Sequence, residues 1–408
     1  MALDKRITKD KQSRSAGEER KGSLLEVLGV SSRLGLTSFG GPIAHLGYFR
    51  DEYVVRRKWL DEKTYADLVA LCQFLPGPAS SQVGIAIGMI RAGFFGGIVS
   101  WFGFTLPSVL ALTLFAYALQ GFDASNTGWL HGLMIAAVAV VAQAVWGMAK
   151  SLAPDRTRAS IAISTAIIIL LWPSPFSQIA LIVAAGLLGW LFLPRPPAAE
   201  APPICVSLSR RAAIASWIIF FALLAILPLI RQLSDSYWLA MFDSFFRVGS
   251  LVFGGGHVVL PLLQSEVVPT GWVTDAQFLA GYGAAQAVPG PLFTFASYLG
   301  MVMNGVAGAV AATFAIFLPS FLLVTGGLPF WDYIRRRPGF QASLNSINAA
   351  VVGILLAALY NPVWIKAIKS PWDFSLALLA FGLLFIWKLP PWLVVLVCAL
   401  GGMALSFV

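Results

Sequence analysis

Charge is scarce in this chain. Of 408 residues only 12% are Asp, Glu, Lys or Arg, while 58% are hydrophobic; a soluble domain carries about 25% charged residues. That shortage excludes an ordinary water-soluble domain. Histidine is rarer still, with only His45, His131 and His257, too few and too scattered for a metal cluster. The cysteines Cys72, Cys205 and Cys398 share no short spacing. This excludes a zinc pattern and a disulfide framework, and they read as packing or linker residues. No Gly-x-x-x-x-Gly-Lys-Ser/Thr loop occurs, so the chain has no phosphate cradle for ATP. No cofactor and no metal is expected. A cleavable signal peptide is not expected either, because the start is long and polar. Finally, no Lys or Arg stands between Arg247 and Arg335.

What the chain has is apolar length. The stretches 161–171 with 179–193, 212–230, 305–328 and 374–387 suit helices that cross a bilayer, which need about 20 mostly apolar residues. The expected fold is an all-α polytopic membrane protein. The net charge of +9 is not a nucleic-acid signal. Basic residues gather in the tail 1–22 and in a few short loops, the positive-inside distribution. It implies a bacterial-type inner (plasma) membrane with the N-terminus in the cytoplasm and the lipid bilayer as the protein's main partner.

The chain also says one thing twice. Arg33, Gly35, Phe39, Gly40 and Gly41 recur as Arg247, Gly249, Phe253, Gly254 and Gly255, 214 residues on. Gln73-Phe-Leu-Pro76-Gly77-Pro78 recurs as Gln286-Ala-Val-Pro289-Gly290-Pro291, 213 residues on. Leu106-Pro107-Ser108 recurs as Leu318-Pro319-Ser320, 212 residues on. Such agreement over this length is gene duplication. A Pro-rich basic linker, 194–211, separates an N-terminal repeat, 23–193, from a C-terminal repeat, 212–408. Each repeat has a Gly-broken segment (23–49; 238–263), a Pro-broken segment (64–92; 275–303) and then long apolar spans.

Charge suggests how the repeats are oriented. The stretch after the first broken segment carries Arg50, Arg56, Arg57, Lys58 and Lys63, while its counterpart 264–275 has no Lys or Arg. If basic stretches stay inside, the counterparts lie on opposite sides and the repeats are inverted. Treating the broken segments as re-entrant hairpins keeps the basic stretches inside, with only Lys366 and Lys369 on the wrong side. The alternative is that each broken segment spans fully.

Gly40-Gly41-Pro42 and Gly254-Gly255-Gly256 must interrupt helices, by loss of side-chain bulk or of a backbone donor. A helix that restarts after such a break offers free N–H groups and a partial positive charge to an anion. The plainer role of Gly-Gly is close helix packing. Arg33 and Arg247, each six residues before its Phe-Gly-Gly, are costly in an apolar segment, and their guanidinium forks suit tetrahedral oxyanions. The plainer reading has them snorkelling to the interface. The Pro-Gly-Pro blocks read as hairpin tips or helix breaks, with Gln73 and Gln286 supplying amide donors beside them or bonding between helices. Glu52 and Glu266 match across the repeats and could carry protons, although their position reads first as surface loop. His45 and His257 lie out of register; titration near neutral pH suits proton coupling, and packed histidines are the simpler reading. Arg91, Asp67 and Asn304 are polar candidates without counterparts.

Together and in order, Phe39-Gly40-Gly41-Pro42, Phe253-Gly254-Gly255-Gly256-His257 and the doubled Pro-Gly-Pro resemble the chromate ion transporter family in its long, two-domain form. The resemblance spans roughly 25–190 and 238–405. It implies a secondary transporter that exports chromate and confers chromate resistance, with sulfate as a related substrate. A homodimer is an open option. The substrate site would then comprise the arginines and the motif residues above. Two rival classes are a sulfate or other oxyanion uptake carrier, and an intramembrane enzyme acting on a lipid-linked phosphate.

Overall fold

A computed structural model of the chain describes residues 22–119, 128–172, 175–194, 208–253, 256–331 and 337–406. Among the described residues there is no strand. Most of the basic tail and the linker, with Gly254, Gly255, Arg335 and Arg336, lie outside the described residues. The protein is a multi-pass membrane protein. Five helical stretches are long and apolar enough to cross a bilayer, among them Gly128–Leu152 and Arg210–Leu233.

The first repeat opens with α1 (Leu24–Thr37), which stops at Ser38 and Phe39 before α2 (Gly41–Phe49) begins. At about 1.5 Å per residue α1 covers about 21 Å, short of a bilayer. α2 does not end in a loop; it widens into a π-helix, Arg50–Arg56. α3 (Glu62–Phe74) runs to the first Pro-Gly-Pro, and α4 (Ala79–Ala118) leaves it. α4 is folded in two. Ala92 (φ −138°) and Gly93 (φ +72°) reverse the chain, and Ser100 donates to the Gly84 carbonyl at 2.8 Å. The second repeat matches. α9 (Tyr237–Leu251) is followed by α10 (Val259–Val267) and α11 (Asp275–Ala285), and α12 (Phe295–Gly327) reverses at Asn304 and Gly305. Around these pack α5 (Gly128–Leu152), α6 (Arg156–Leu171), α7 (Pro175–Phe192) and α8 (Arg210–Leu233), with α13 (Pro338–Ala358), α14 (Pro371–Phe385) and α15 (Pro391–Leu405).

Glycine sets the closest approaches. A side chain on Gly35 of α1 would strike the backbone carbonyls of Gly103 and Phe104, and one on Gly249 of α9 would strike that of Ile316. The Gly of each Arg-x-Gly motif is therefore where the broken segment touches its crossing helix. Gly249→Leu should force α9 off α12 at a cost of about 1–3 kcal/mol or more. Gly29→Ala, with nothing near it, should not destabilise. Thermal unfolding of detergent-purified variants checks both.

The ends of the helices can be sorted by level. α13 meets α7 through Ser343, which donates to the Gly186 carbonyl at 2.8 Å, and meets α6 where Gly353 faces Ala162. The start of α13 thus lies beside the end of α7, the start of α6 and the end of α5. Phe74 stacks on Phe340 at 4.4 Å between ring centres, tying α3 to the same level. Lys150, Arg156, Arg158 and Arg337 share this basic face.

Candidate functional site

The two Pro-Gly-Pro turns are bonded into each other's repeat. Gly77 donates its N–H to the Val252 carbonyl at 2.6 Å, and Gly290 donates to the Ser38 carbonyl at 2.9 Å. Ser38 and Val252 each immediately precede the Phe of their motif. The Leu-Pro-Ser serines follow the same exchange. Ser108 donates to the Pro289 carbonyl at 2.8 Å, and a Cβ on Gly77 would lie 2.9 Å from Ser320 Oγ. Gly77 and Gly290 have φ of +123° and +103°, a region that favours glycine.

This cross-bracing surrounds a cavity of about 710 Å³. Gly40, Gly41, Pro42, Gln73 and Gly77 reach it from one repeat; His257, Gln286 and Gly290 reach it from the other. Gly40 and Gly41, at φ +95° and +79°, make the sharp entry into α2. Four helical starts from the broken segments meet here: α2, α4 at Ala79, the 3-10 turn Gly256–Val258 that leads into α10, and the turn Leu292–Thr294 that leads into α12; the start of α15, Pro391, also lines the cavity. α2, α4, α10 and the Leu292–Thr294 turn have no side-chain cap. Ser23, Asp61, Asp155, Ser209, Thr274 and Ser370 cap helices elsewhere, although α9 and α13 also start without a side-chain cap; what sets the cavity apart is that uncapped starts from both repeats converge on it. An uncapped start keeps N–H groups and its share of the helix dipole for a ligand.

The polar side chains fit that field. Gln286 Nε2, a donor, is buried beside Tyr282 with no other hydrogen-bond partner. His257 shares a 2.9 Å hydrogen bond with Tyr282 through Nδ1, and its Nε2 faces Gly41 of the other repeat. No Asp, Glu, Lys or Arg lines the cavity among the described residues. Gln143 on α5 and Asn348 on α13 escaped the sequence reading because neither recurs in the other repeat; an uncharged amide in an apolar helix was the only available signal. Cys72, read as a packing residue, is buried and lies on the cavity wall.

Other sequence candidates fall outside the cavity. Phe39, Phe253 and the four prolines of the turns do not line it. His45 is fully buried behind the break, 3.3 Å from Ser80 Oγ and edge-on to Phe104. Arg33 and Arg247 do not line the cavity; each pairs with the glutamate of its own repeat. Glu52 and Glu266 are not in surface loops. Glu52 lies on the π-helical extension of α2, 7% exposed, with Arg57, Arg56 and Arg33 at 2.7, 3.3 and 3.7 Å. Glu266, on α10, holds Arg247 through both oxygens at 2.8 and 3.1 Å and accepts from Ser244 at 2.8 Å. The helix continues past the predicted boundary because these arginines neutralise the carboxylates. Asp243, 1% exposed, joins the second cluster with Arg247 at 2.8 Å and Arg231 at 3.1 Å.

The cavity follows α5 from Val140 to Leu152, in its last turn. It thus extends from mid-helix toward the basic face. A shared apolar core that includes Leu130, Leu133 and Phe293 fills the opposite direction.

A family model described as "Chromate transporter" matches residues 25–190 and 239–403. A chromate transport protein of Pseudomonas aeruginosa is 29% identical, covering 90% of this chain and 89% of its own. One from Cupriavidus metallidurans is 28% identical over 85% and 84%. The uncharacterized transporter YwrA of Bacillus subtilis is 28% identical over 41% of this chain but 97% of its own. It is about the length of one repeat. No solved structure matches.

Proposed function

The chain belongs to the chromate transporter family, and from that premise we propose that it exports chromate from the cytoplasm by alternating access through the cavity described above. It is a transporter rather than an enzyme. The observation that carries the proposal is the convergence of uncapped helix starts from both repeats on one cavity that, among the described residues, no charged side chain lines. A tetrahedral dianion suits such a field of N–H groups. Gln73, Gln286 and His257 add donors, while the absence of a fixed cation leaves the anion free to depart. The two repeats are inverted about this cavity, as the basic stretches suggest. On the same rule the basic face is cytoplasmic and the N-terminus lies inside an inner membrane. Chromate then enters from the cytoplasm. The inside-negative potential favours its exit by about 2.3 kcal/mol per charge per 100 mV.

Everted membrane vesicles containing the protein should accumulate chromate when energised, with sulfate as the competitor anion. Gln286→Leu should raise the half-saturating chromate concentration about tenfold, since a hydrogen bond to a charged group is worth about 1.5–3 kcal/mol. Greater chromate accumulation by whole cells carrying the protein would reverse the direction. Unchanged saturation in Gln286→Leu would remove that residue from the site.

A further inference from the structure

The repeats are alike in sequence but differ in packing. In the second, α10 lies against α13 and α7, and Leu260 on it is fully buried. In the first, the cavity lies between α2 and α5, the counterparts of α10 and α13. Leu46, the counterpart of Leu260, lines it, and Pro391 of α15 lies on a further wall. One limb is shut against its neighbours and its twin stands open.

The ion pairs differ in the same sense. In each repeat the arginine is on the first limb (α1; α9) and the glutamate on the second (the π-helical extension of α2; α10). On the shut side Arg247 grips Glu266 with two bonds, and its side chain is 19% exposed. On the open side Arg33 reaches Glu52 with one contact at 3.7 Å, its side chain 55% exposed, while Arg57 and Arg56 of the second limb hold that carboxylate at 2.7 and 3.3 Å. The same two residue types at the same repeat positions thus report the position of the second limb.

We propose that Arg33–Glu52 and Arg247–Glu266 are matched latches that tighten alternately, one on each face of the membrane. The structure holds the Arg247–Glu266 latch closed and the Arg33–Glu52 latch slack. In the opposite state α2 closes on α5 and α15, Glu52 draws Arg33 in, and α10 swings away from α13 and α7. The inference rests on the cavity being the transport path. It gives the arginines a role in gating that path instead of holding the anion.

The test places one cysteine in the cavity, Gln143→Cys, in full-length protein whose three native cysteines are replaced by alanine. A membrane-impermeant thiol reagent is applied to right-side-out or everted vesicles. The parent should label from the basic face. Glu266→Gln should raise labelling from the opposite face about tenfold, a shift of about 1.4 kcal/mol between the two states. Glu52→Gln should abolish opposite-face labelling and keep that from the basic face. The charge exchange Arg247→Glu with Glu266→Arg retains the pair, so the parental ratio should return even if Glu266→Gln assembles poorly. A face ratio unmoved by both single changes, or not restored by the exchange, overturns the latches alone. Labelling from neither face overturns the cavity as path, and the latches with it.

Discussion

Gly290→Val should abolish chromate export while leaving protein in the membrane. The residue sits at φ +103°, where a β-branched side chain costs about 1–3 kcal/mol. Its Cβ would also run into Ser108 Oγ, displacing the hydroxyl that braces the Pro289 carbonyl. The turn must then move, and the bond from Gly290 N–H to Ser38 goes with it. The entry to α2 loses its brace from the other repeat at the wall of the cavity. Transport in everted vesicles should fall by more than about tenfold, the equivalent of about 1.4 kcal/mol. Immunoblots of the same membranes should show a smaller loss. Gly77→Val should behave alike, since its Cβ meets Ser320 and Gln82. Parental transport rates in both variants would show that the crossed bracing is dispensable.

Asp243→Leu should be the most destabilising change to a charged residue. Asp243 is 1% exposed and holds both Arg231 and Arg247. Removing it leaves two partly enclosed cations facing Glu266 alone, and breaking a buried pair costs about 3–5 kcal/mol. The midpoint of thermal unfolding in detergent should drop sharply. Adding Arg231→Met should recover part of the loss, because one guanidinium then faces one carboxylate. If the double variant is no better than Asp243→Leu alone, the cost lies in packing rather than charge.

The membrane class was legible in the sequence because it depends on composition and on the spacing of apolar stretches. Gly40, Gly41, Gly77 and Gly290 could be singled out because each must adopt a backbone that other residues avoid, and the duplication marked them twice. Gln143, Asn348 and Asp243 stayed hidden because each occurs in one repeat only. The glutamates were misplaced for a different reason. Hydropathy ends a helix where charges begin, whereas Arg33, Arg56 and Arg57 around Glu52 let the helix continue. Nor does spacing reveal that Arg33 faces a carboxylate rather than the cavity. That depends on where the second limb lies, which is a property of the packed state.

The exchanged turns also bear on how the protein is made. Ser38 is among the first described residues, and the N–H that bonds its carbonyl belongs to Gly290. Some 250 residues separate them in the chain. During synthesis the first break must therefore sit in the bilayer without its final partner until most of the chain has left the ribosome. Insertion of the first half and completion of its packing are then separate events.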